Sequence, residues 1–273
     1  MVGRKSAPAL KGMGRTIAIA SQKGGVGKTT TAINLGACLA QAGHRVLVID
    51  IDPQGNASSG LGINGNDQPV TIYEVLIGQN ELPDAVRPTT VEGLDLVAAG
   101  QRLSGAEVEL VGMMARETRL KTALGAARDE YEFVLVDTPP SLGLLTINAM
   151  TAADAVLIPL QCEYLALEGL TQLIQAIQLV QDHLNPALRI EGVLLTMYDA
   201  RLNLSQQVAA EARKFFSDRV YRTQIPRNVK LSEAPSFGKP IVVYDPHCVG
   251  AECYRQLALE VLDHATEGVG KRA

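Results

Sequence analysis

Short apolar runs alternate along the chain with longer segments whose apolar residues recur every three or four positions. The first pattern is typical of buried strands and the second of amphipathic helices. Strands are predicted at residues 16–21, 45–50, 94–98, 133–137, 155–159, 190–197 and 220–225. Helices are predicted at residues 28–42, 72–77, 111–127, 144–152, 165–183, 205–216 and 250–264. This alternation predicts an α/β fold with a doubly wound, mainly parallel sheet and helices on both faces.

The composition agrees with a single domain that buries a large core. Of the 273 residues, 47% are hydrophobic and 20% are charged. We assign residues 15–267 to this domain, residues 1–14 to a flexible N-terminal extension and residues 268–273 to a flexible tail. No apolar run approaches the roughly 20 residues of a membrane span, and the four cysteines form no C-x-x-C pair. We therefore expect no membrane segment, no zinc site and no disulfide framework.

A glycine-rich loop, "SQKGGVGKTT", joins the first predicted strand to the first predicted helix. Its glycines let the backbone approach a phosphate closely, and its N–H groups together with the helix N-terminus form a cradle for an anion. The Lys28 ammonium is expected to reach the β- and γ-phosphates of a nucleotide, and the Thr29 hydroxyl to bind Mg²⁺. The residues predicted to contact the nucleotide in this loop are Gly24, Gly25, Val26, Gly27, Lys28, Thr29 and Thr30.

Three aspartates end predicted strands at the edge where the phosphate loop lies. Asp50 and Asp52 in "VLVIDIDPQGN" are two residues apart and therefore on the same side of the pleat. A carboxylate there can hold the water that attacks a γ-phosphate, although both residues could instead cap the turn before Pro53. Asp137 in "FVLVDTPPSLG" ends another apolar strand, where it is expected to meet Mg²⁺ through water.

The phosphate loop departs from the usual pattern, because Gln22 occupies its first glycine position and a second lysine, Lys23, follows. The residue alone leaves open whether Lys23 is a solvated surface lysine. The segment "KGGVGKT", however, resembles the deviant Walker A motif of the ParA/MinD superfamily of P-loop ATPases. The resemblance implies that Lys23 crosses the interface of an ATP-bound homodimer and contacts the partner's nucleotide. It also implies that Lys23 and Lys28 act in catalysis with Asp52, and that Asp137 is the Walker B carboxylate.

The same resemblance leaves two roles for Asp50, either purely structural or acting on Mg²⁺ through another ligand. ATP and Mg²⁺ are the cofactors that it implies. Hydrolysis is expected to be weak in the isolated protein and stimulated by a partner.

Three further stretches resemble the chromosomal ParA/Soj partition ATPases, namely "DTPPSLGLLTINAM", "PLQCEYLALEGL" and "IPRNVKLSEAPSFGKPIVVYDP". In the last, Pro226, Arg227 and Asn228 match the segment that contacts adenine in that family. The resemblance implies a cytoplasmic, nucleoid-associated protein whose ATP dimer binds double-stranded DNA nonspecifically. Hydrolysis stimulated by a ParB-type centromere-binding protein would release the dimer and so drive chromosome or plasmid partitioning.

Two alternatives have the same fold. A MinD-like membrane-associated positioning ATPase would carry a basic amphipathic C-terminal helix, whereas this chain ends in "EVLDHATEGVGKRA", which has no sustained apolar face. A small-molecule synthetase of the amide-forming or phosphoryl-transferring kind would need a substrate pocket opposite the γ-phosphate, and the sequence offers no convergent polar set for one.

Charge bears on the predicted DNA surface. The net charge is −4, but residues 187–240 contain nine Lys or Arg and five Asp or Glu, a local excess of four positive charges. A local basic patch can bind phosphates on an acidic protein, although such residues are often only a solvated face. The resemblance assigns nonspecific DNA binding to Arg201 and Lys230, with Arg222 as a neighbour. No basic motif interleaved with aromatic residues is present, so we expect no reading of base sequence.

Overall fold

Eight strands form one sheet in the computed structural model, which describes residues 14–125, 127–163 and 166–270. The strands are β1 Arg15–Ile19, β2 Val46–Asp50, β3 Val86–Pro88, β4 Leu94–Val97, β5 Phe133–Asp137, β6 Ala155–Gln161, β7 Arg189–Tyr198 and β8 Val220–Pro226. Their order is β3-β4-β2-β5-β1-β6-β7-β8. Every neighbouring pair is parallel except β3 and β4. The predicted mainly parallel sheet is confirmed.

Helices cover both faces of this sheet. They are α1 Lys28–Gln41, α2 Asn56–Gly60, α3 Ile72–Ile77, α4 Leu82–Ala85, α5 Leu103–Val111, α6 Arg119–Leu124, α7 Leu144–Ala152, α8 Ala166–His183, α9 Asn203–Phe216, α10 Val229–Glu233, α11 Ile241–Tyr244 and α12 Val249–Gly270. Alternate residues of β1 enter two separate hydrophobic cores: Ile17 and Ile19 belong to one, Ala18 to the other. The sheet is therefore doubly wound, as the alternating pattern predicts.

Local sequence explains where individual elements start and stop. The helix α3 begins with a capping box, in which the Glu74 carboxylate accepts a hydrogen bond from the Thr71 N–H at 2.8 Å. It ends at Gly78, whose φ of 80° lies in the left-handed region that favours glycine. The central strand β5 reads FVLVD and is buried along its whole length, as expected for a parallel strand covered on both faces.

One predicted helix, residues 111–127, is wrong. The helix α5 ends at Val111, and a break follows in which Gly112 ends the turn and Ala115 adopts a φ of 53°. A separate helix, α6, then runs from Arg119 to Leu124. Residue 126 of that prediction lies outside the described residues. The break has a physical cause, because glycine lowers helix stability and a left-handed residue cannot continue a helix.

Other differences are smaller. The edge strand β3 was not predicted; it has three residues and pairs antiparallel with β4, and Pro88 is tolerated there because an edge strand leaves one side of its backbone unpaired. The last helix runs from Val249 to Gly270, beyond the predicted end at residue 264. Residue 165 of the predicted helix 165–183, residues 1–13 of the predicted extension and residues 271–273 of the predicted tail lie outside the described residues.

None of the helices in the described ranges combines the length and the apolarity needed to cross a bilayer.

Candidate nucleotide-binding site

A cavity of about 710 Å³ lies at the carboxyl ends of the strands, a size typical of small-molecule sites. It brings together three sets of residues that are far apart in the sequence. From these sets, the residues lining the cavity are Gly24, Gly25, Gly27, Lys28, Thr29, Thr30, Asp52, Pro226, Arg227 and Asn228. The predicted phosphate loop, the predicted catalytic aspartate and the predicted adenine segment therefore share one pocket.

The phosphate loop takes its shape from glycines with positive φ. Gly25 has a φ of 73° and Gly27, directly before α1, has a φ of 91°. These values lie in the region that residues with a Cβ rarely adopt, so the loop needs glycine at both positions. Backbone N–H groups at the start of α1 consequently face the cavity without a side chain in the way.

The Lys28 side chain folds back over this loop. Its Nζ donates a hydrogen bond to the Lys23 carbonyl oxygen at 3.1 Å, and the residue is only 6% exposed. Burial lowers the pKa of Lys28, while the nearby carboxylates of Asp137 and Asp52 raise it. The phosphates of a nucleoside triphosphate would stabilise the charged form of this buried ammonium, which suits Lys28 to its predicted role.

Val26, which was predicted to contact the nucleotide, is not among the residues that line this cavity, and its side chain is buried in the protein. The Val26 carbonyl oxygen accepts a hydrogen bond from the Thr196 hydroxyl at 2.8 Å, and Thr196 lies near the end of β7. The next residue, Met197, has a φ of 50°, an uncommon backbone conformation for a residue with a Cβ. Thr196 is a site residue that the sequence analysis missed.

Asp137 has the properties of a cation ligand. Both of its carboxylate oxygens are buried, and neither has a hydrogen-bond partner of normal geometry among the described residues. Burial raises the pKa of Asp137 well above its usual value, and the neighbouring Asp50 raises it further, while Thr29 and Lys28 lower it. A buried carboxylate with so little compensation is costly unless a further cation neutralises it. The Asp137 carboxylate and the Thr29 hydroxyl therefore fit Mg²⁺.

Asp50 is directly beside Asp137, since the two residues are partners in the register of β2 and β5. Its oxygens are occupied by protein groups: they accept hydrogen bonds from the Ser58 N–H at 2.8 Å, the Ser58 hydroxyl at 2.7 Å and the Asp52 N–H at 3.1 Å. Burial raises the pKa of Asp50 to about 6 despite these bonds. Of the two predicted roles, these contacts support the structural one, in which Asp50 holds the turn after β2.

Asp52 lies on the wall of the cavity that also contains Lys28 and Thr29. Its Oδ1 accepts a hydrogen bond from the Gln54 N–H at 3.0 Å, which fixes the carboxylate at the start of the turn. This is the predicted turn-capping role, and it leaves Asp52 on the wall of the pocket, so the two roles are compatible. Its part in catalysis stays a prediction.

Lys23 lies at the rim of the site and is not among the residues that line the cavity. Its Nζ lies 3.1 Å from Oε2 of Glu163, and the two side chains are 38% and 43% exposed. The other oxygen of Glu163, Oε1, lies 3.1 Å from Nη2 of Arg227. Glu163 stands in one of the stretches singled out in the sequence, but its contact with the phosphate loop was not predicted.

The predicted adenine segment is held in shape at both ends. Pro226 is the last residue of β8, and the Asn228 side chain caps the following helix α10 by accepting a hydrogen bond from the Lys230 N–H at 2.8 Å. Asparagine is among the residues that best satisfy such free N–H groups.

Two of the three predicted DNA-binding residues follow the carboxyl ends of β7 and β8. Arg201 donates two hydrogen bonds to Asp199, from Nε to Oδ1 at 2.9 Å and from Nη2 to Oδ2 at 2.7 Å, and this pairing lowers the pKa of Asp199 to about 2. The Lys230 Nζ contacts Glu233 Oε2 at 2.9 Å. These cations are exposed, and each has a carboxylate of its own.

Arg222 has a different position. It lies within β8, four residues before the end of the strand, or roughly 13 Å along it. Its Nε lies 3.8 Å from Glu260 Oε2 on α12. Arg222 is exposed, but its place along the strand sets it apart from Lys230.

Comparisons with known proteins agree with this geometry. The profile of the family described as an AAA domain matches residues 14–190. The chain is 60% identical over 249 residues to the sporulation initiation inhibitor protein Soj of Bacillus subtilis, covering 91% of this chain and 98% of that relative. It is 55% identical over 261 residues to the chromosome partitioning protein ParA of Caulobacter vibrioides, covering 95% and 98%.

Solved structures are similar as well. Cobyrinic acid a,c-diamide synthase from Mycobacterium smegmatis, with bound ADP and magnesium, has a TM-score of 0.82 and 39% identity over 94% of this chain and 97% of its own. The cell division ATPase MinD of Pyrococcus furiosus has a TM-score of 0.76 and 28% identity over 92% and 99%. The pocket, the two-lysine loop and the extent of these similarities lead to one conclusion: the chain belongs to the AAA-domain family of ParA- and Soj-type chromosome partitioning ATPases.

Proposed function

We propose that this chain partitions DNA by cycling between an ATP-bound homodimer that holds DNA and single subunits that do not. Its family membership supports ATP hydrolysis. The observation that carries the finer proposal is the position of Lys23, whose side chain is 38% exposed beside a pocket lined by Lys28 and Asp52, with the buried carboxylate of Asp137 close to Lys28.

ATP is the nucleotide that the pocket fits. The backbone of residues 24–30 surrounds the phosphates, Lys28 compensates charge on the β- and γ-phosphates, and Pro226, Arg227 and Asn228 line the adenine end. Bound Mg²⁺ would neutralise charge on the same phosphates.

Hydrolysis needs a water molecule oriented towards the γ-phosphorus. Asp52 orients that water and accepts its proton as the new P–O bond forms. The bond between the γ-phosphorus and the bridging oxygen breaks, which leaves ADP and inorganic phosphate. Thr29 and, through water, Asp137 would hold the Mg²⁺ ion, and Lys28 stabilises the charge that develops on the phosphates as this bond breaks.

Two ATP-bound subunits face each other through their pockets in this proposal. Lys23 of each subunit then reaches the nucleotide of the other, so that the γ-phosphate is part of what holds the dimer together. Loss of that phosphate on hydrolysis removes the contact, and the dimer separates. The coupling is a shift of population driven by one phosphate group.

In this proposal, DNA binding becomes strong because dimerisation doubles the number of cations that contact DNA phosphates. Arg201, Lys230 and Arg222 of one subunit provide about three phosphate contacts, which gives a slope of log affinity against log salt near −3. The dimer provides about six contacts and a slope near −5. Nonspecific duplex DNA is therefore held by the dimer and released by the subunits, which keeps the ATP-bound form on the nucleoid of the cytoplasm.

The partner in this cycle is a ParB-type centromere-binding protein, which stimulates hydrolysis where the replicon to be moved is located. Release of dimers at that place, and rebinding elsewhere after ATP loading, moves or positions the chromosome or plasmid. The membership of the chain in the partitioning family supports this part of the proposal.

The experiment is a duplex-DNA binding assay with ATP, ADP or no nucleotide, run with Mg²⁺ at low salt. The wild type is expected to bind with ATP only. Lys23→Ala is expected to bind ATP as a monomer and not to bind DNA, because the dimer cannot close. Asp52→Ala is expected to stay on DNA with ATP, because hydrolysis no longer releases it.

The matched control is Lys121→Ala, which removes an exposed lysine from α6. It is expected to behave as the wild type does. DNA binding that is equal with ATP, with ADP and without nucleotide would contradict the cycle, as would normal dimers of Lys23→Ala in analytical ultracentrifugation.

Two other functions are less well supported. MinD-like membrane positioning is disfavoured because the relatives named for chromosome partitioning are much more similar in sequence than the MinD structure. Liposome co-sedimentation with ATP tests it. Amide synthesis is favoured by one observation, the similar structure of a diamide synthase. Thermal-shift screening against carboxylated metabolites in the presence of Mg-ATP tests that function.

A further inference from the structure

The carboxylate of Glu163 joins two cations that belong to opposite ends of the nucleotide site. One oxygen contacts the Lys23 ammonium of the phosphate loop at 3.1 Å, and the other contacts the Arg227 guanidinium of the adenine segment at 3.1 Å. Among the described residues, these are the ion pairs that Lys23 and Arg227 make. Glu163 therefore links the phosphate loop to the adenine segment.

The position of Glu163 is set by the fold. It follows β6, which pairs with β1, and β1 leads into the phosphate loop. The side chain of Gln161, the last residue of β6, also donates a hydrogen bond to Oε1 of Glu163. The carboxylate therefore also has a contact with the end of the strand that precedes it, besides its two contacts with the cations.

We propose that Glu163 is a positioning residue that keeps Lys23 on its own subunit when the pocket lacks a triphosphate, and that Lys23 must leave Glu163 before an ATP dimer can close. The inference rests on the proposed function, because it presumes that Lys23 acts across the dimer. In the proposed dimer, Lys23 exchanges this contact with Glu163 of its own subunit for the nucleotide of the other subunit.

ATP itself competes with Glu163 for both cations. The triphosphate brings several negative charges to the phosphate loop, and the adenine end of the pocket includes Arg227. Binding of ATP therefore weakens the ion pairs of Glu163 with Lys23 and with Arg227 together. Lys23 is thus released in the same state in which a nucleotide is present for the dimer to form around. ADP lacks the γ-phosphate and supplies less of this competing charge.

The size of the effect follows from the exposure of the pair. Ion pairs that are this exposed change an equilibrium by roughly 1.5- to 5-fold. A dimer releases two Lys23 side chains, so removal of the Glu163 charge is expected to tighten ATP-dependent dimerisation by roughly 2- to 30-fold.

The first test measures the ion pair without nucleotide and without a dimer. Nucleotide-free protein is treated briefly with an acetylating reagent, and the modification rate of Lys23 is followed by mass spectrometry. Exposed Lys121 and Lys239 serve as internal references. Glu163→Gln is expected to raise the Lys23 rate by roughly 1.5- to 5-fold and to leave both references unchanged. An unchanged Lys23 rate overturns the proposal.

The second test measures dimer formation against the concentration of a non-hydrolysable ATP analogue by analytical ultracentrifugation. The variants are Glu163→Gln, Glu163→Ala and the control Glu252→Gln, which removes the same charge from an exposed ion pair with Arg255 on α12. Both Glu163 variants are expected to dimerise at lower protein concentration than the wild type. The control is expected to match the wild type.

The outcomes separate this inference from the proposed function. If wild-type protein forms no dimer with the analogue, the proposed function fails, whatever the Glu163 variants do. If wild-type protein dimerises, Lys23→Ala does not, and the Glu163 variants dimerise no more tightly than the wild type, only the inference fails. Weaker dimers of both Glu163 variants would assign Glu163 to the contact between subunits and overturn it as well.

Discussion

Asp137→Asn should make the nucleotide-free protein more stable while it destroys the cation site. The wild-type carboxylate is buried without a hydrogen-bond partner of normal geometry in the described part of the chain, and it faces Asp50 in the next strand. Asparagine has the same shape and no charge. The substitution therefore removes both the desolvation cost of a buried anion and its repulsion with Asp50.

The magnitude can be bounded from general values. A buried polar group without a partner costs about 1–3 kcal/mol, and a charged one costs more, so asparagine keeps the first cost and removes the excess due to the charge. We expect Asp137→Asn to raise the free energy of unfolding by about 1–3 kcal/mol at pH 8 in EDTA. For a domain of this size, each kcal/mol corresponds to about 2–4 °C in melting temperature.

The increase in the free energy of unfolding caused by Asp137→Asn should grow as the pH rises. Folding raises the pKa of Asp50 to about 6 and that of Asp137 well above its usual value, so the folded protein binds these protons more tightly than the unfolded chain. The resulting stabilisation is fully present below about pH 4 and is lost as the pH rises through the folded pKa values. The stability difference between Asp137→Asn and the wild type should consequently be largest at pH 8 and smallest near pH 4.

The assay is urea unfolding of nucleotide-free protein in EDTA at several pH values, followed by circular dichroism. Asp129→Asn, at an exposed position, is the control and should change stability by less than about 0.5 kcal/mol. Addition of Mg-ATP should stabilise the wild type more than Asp137→Asn. A variant no more stable than the wild type at pH 8 would show that the Asp137 carboxylate is compensated in the free protein, and the argument for a cation there would fail.

Three further predictions concern the loop and the DNA surface. Lys28→Ala should weaken ATP binding at least about 10-fold in calorimetry, because charged hydrogen bonds to phosphate are worth about 1.5–3 kcal/mol; unchanged affinity would contradict the loop assignment. Thr196→Val should lower stability by about 0.5–1.5 kcal/mol in urea unfolding and weaken ATP binding, since the Val26 carbonyl loses its hydrogen bond; equal stability and affinity would show that this bond is unimportant. Arg201→Ala should flatten the salt dependence of DNA binding by a slope of about 2 for the dimer, whereas Asp199→Asn should strengthen binding; equal slopes for Arg201→Ala and the wild type would remove Arg201 from the surface.

The site residues could be predicted where they lie together in one short stretch of the sequence. The phosphate loop and the strand-end aspartates are read from single short stretches, and the parallel fold then brings these stretches to one edge of the sheet. Glu163 and Thr196 were missed because their partners Lys23 and Val26 lie 140 and 170 positions away in the chain. Only the order of the strands shows that those segments are neighbours.

The fold was predictable to a similar depth. Strands buried on both faces, such as β5, have continuous apolar runs and were placed correctly. The helix predicted at 111–127 failed because apolar residues on either side of Gly112 keep a helical spacing while the backbone breaks between them. The strand β3 was missed because it has only three residues, one of them a proline, which is too short for an alternation of apolar and polar residues to be recognised.

The carboxylates beside the proposed DNA-binding cations have a kinetic consequence. Arg201, Lys230 and Arg222 each pair with an acid, so these six side chains together carry no net charge. Such a surface generates little long-range attraction, and DNA encounters should not be accelerated by electrostatic steering. Capture then depends on how much DNA surrounds the protein, and retention depends on how many ion pairs are exchanged for phosphate contacts after the two have met.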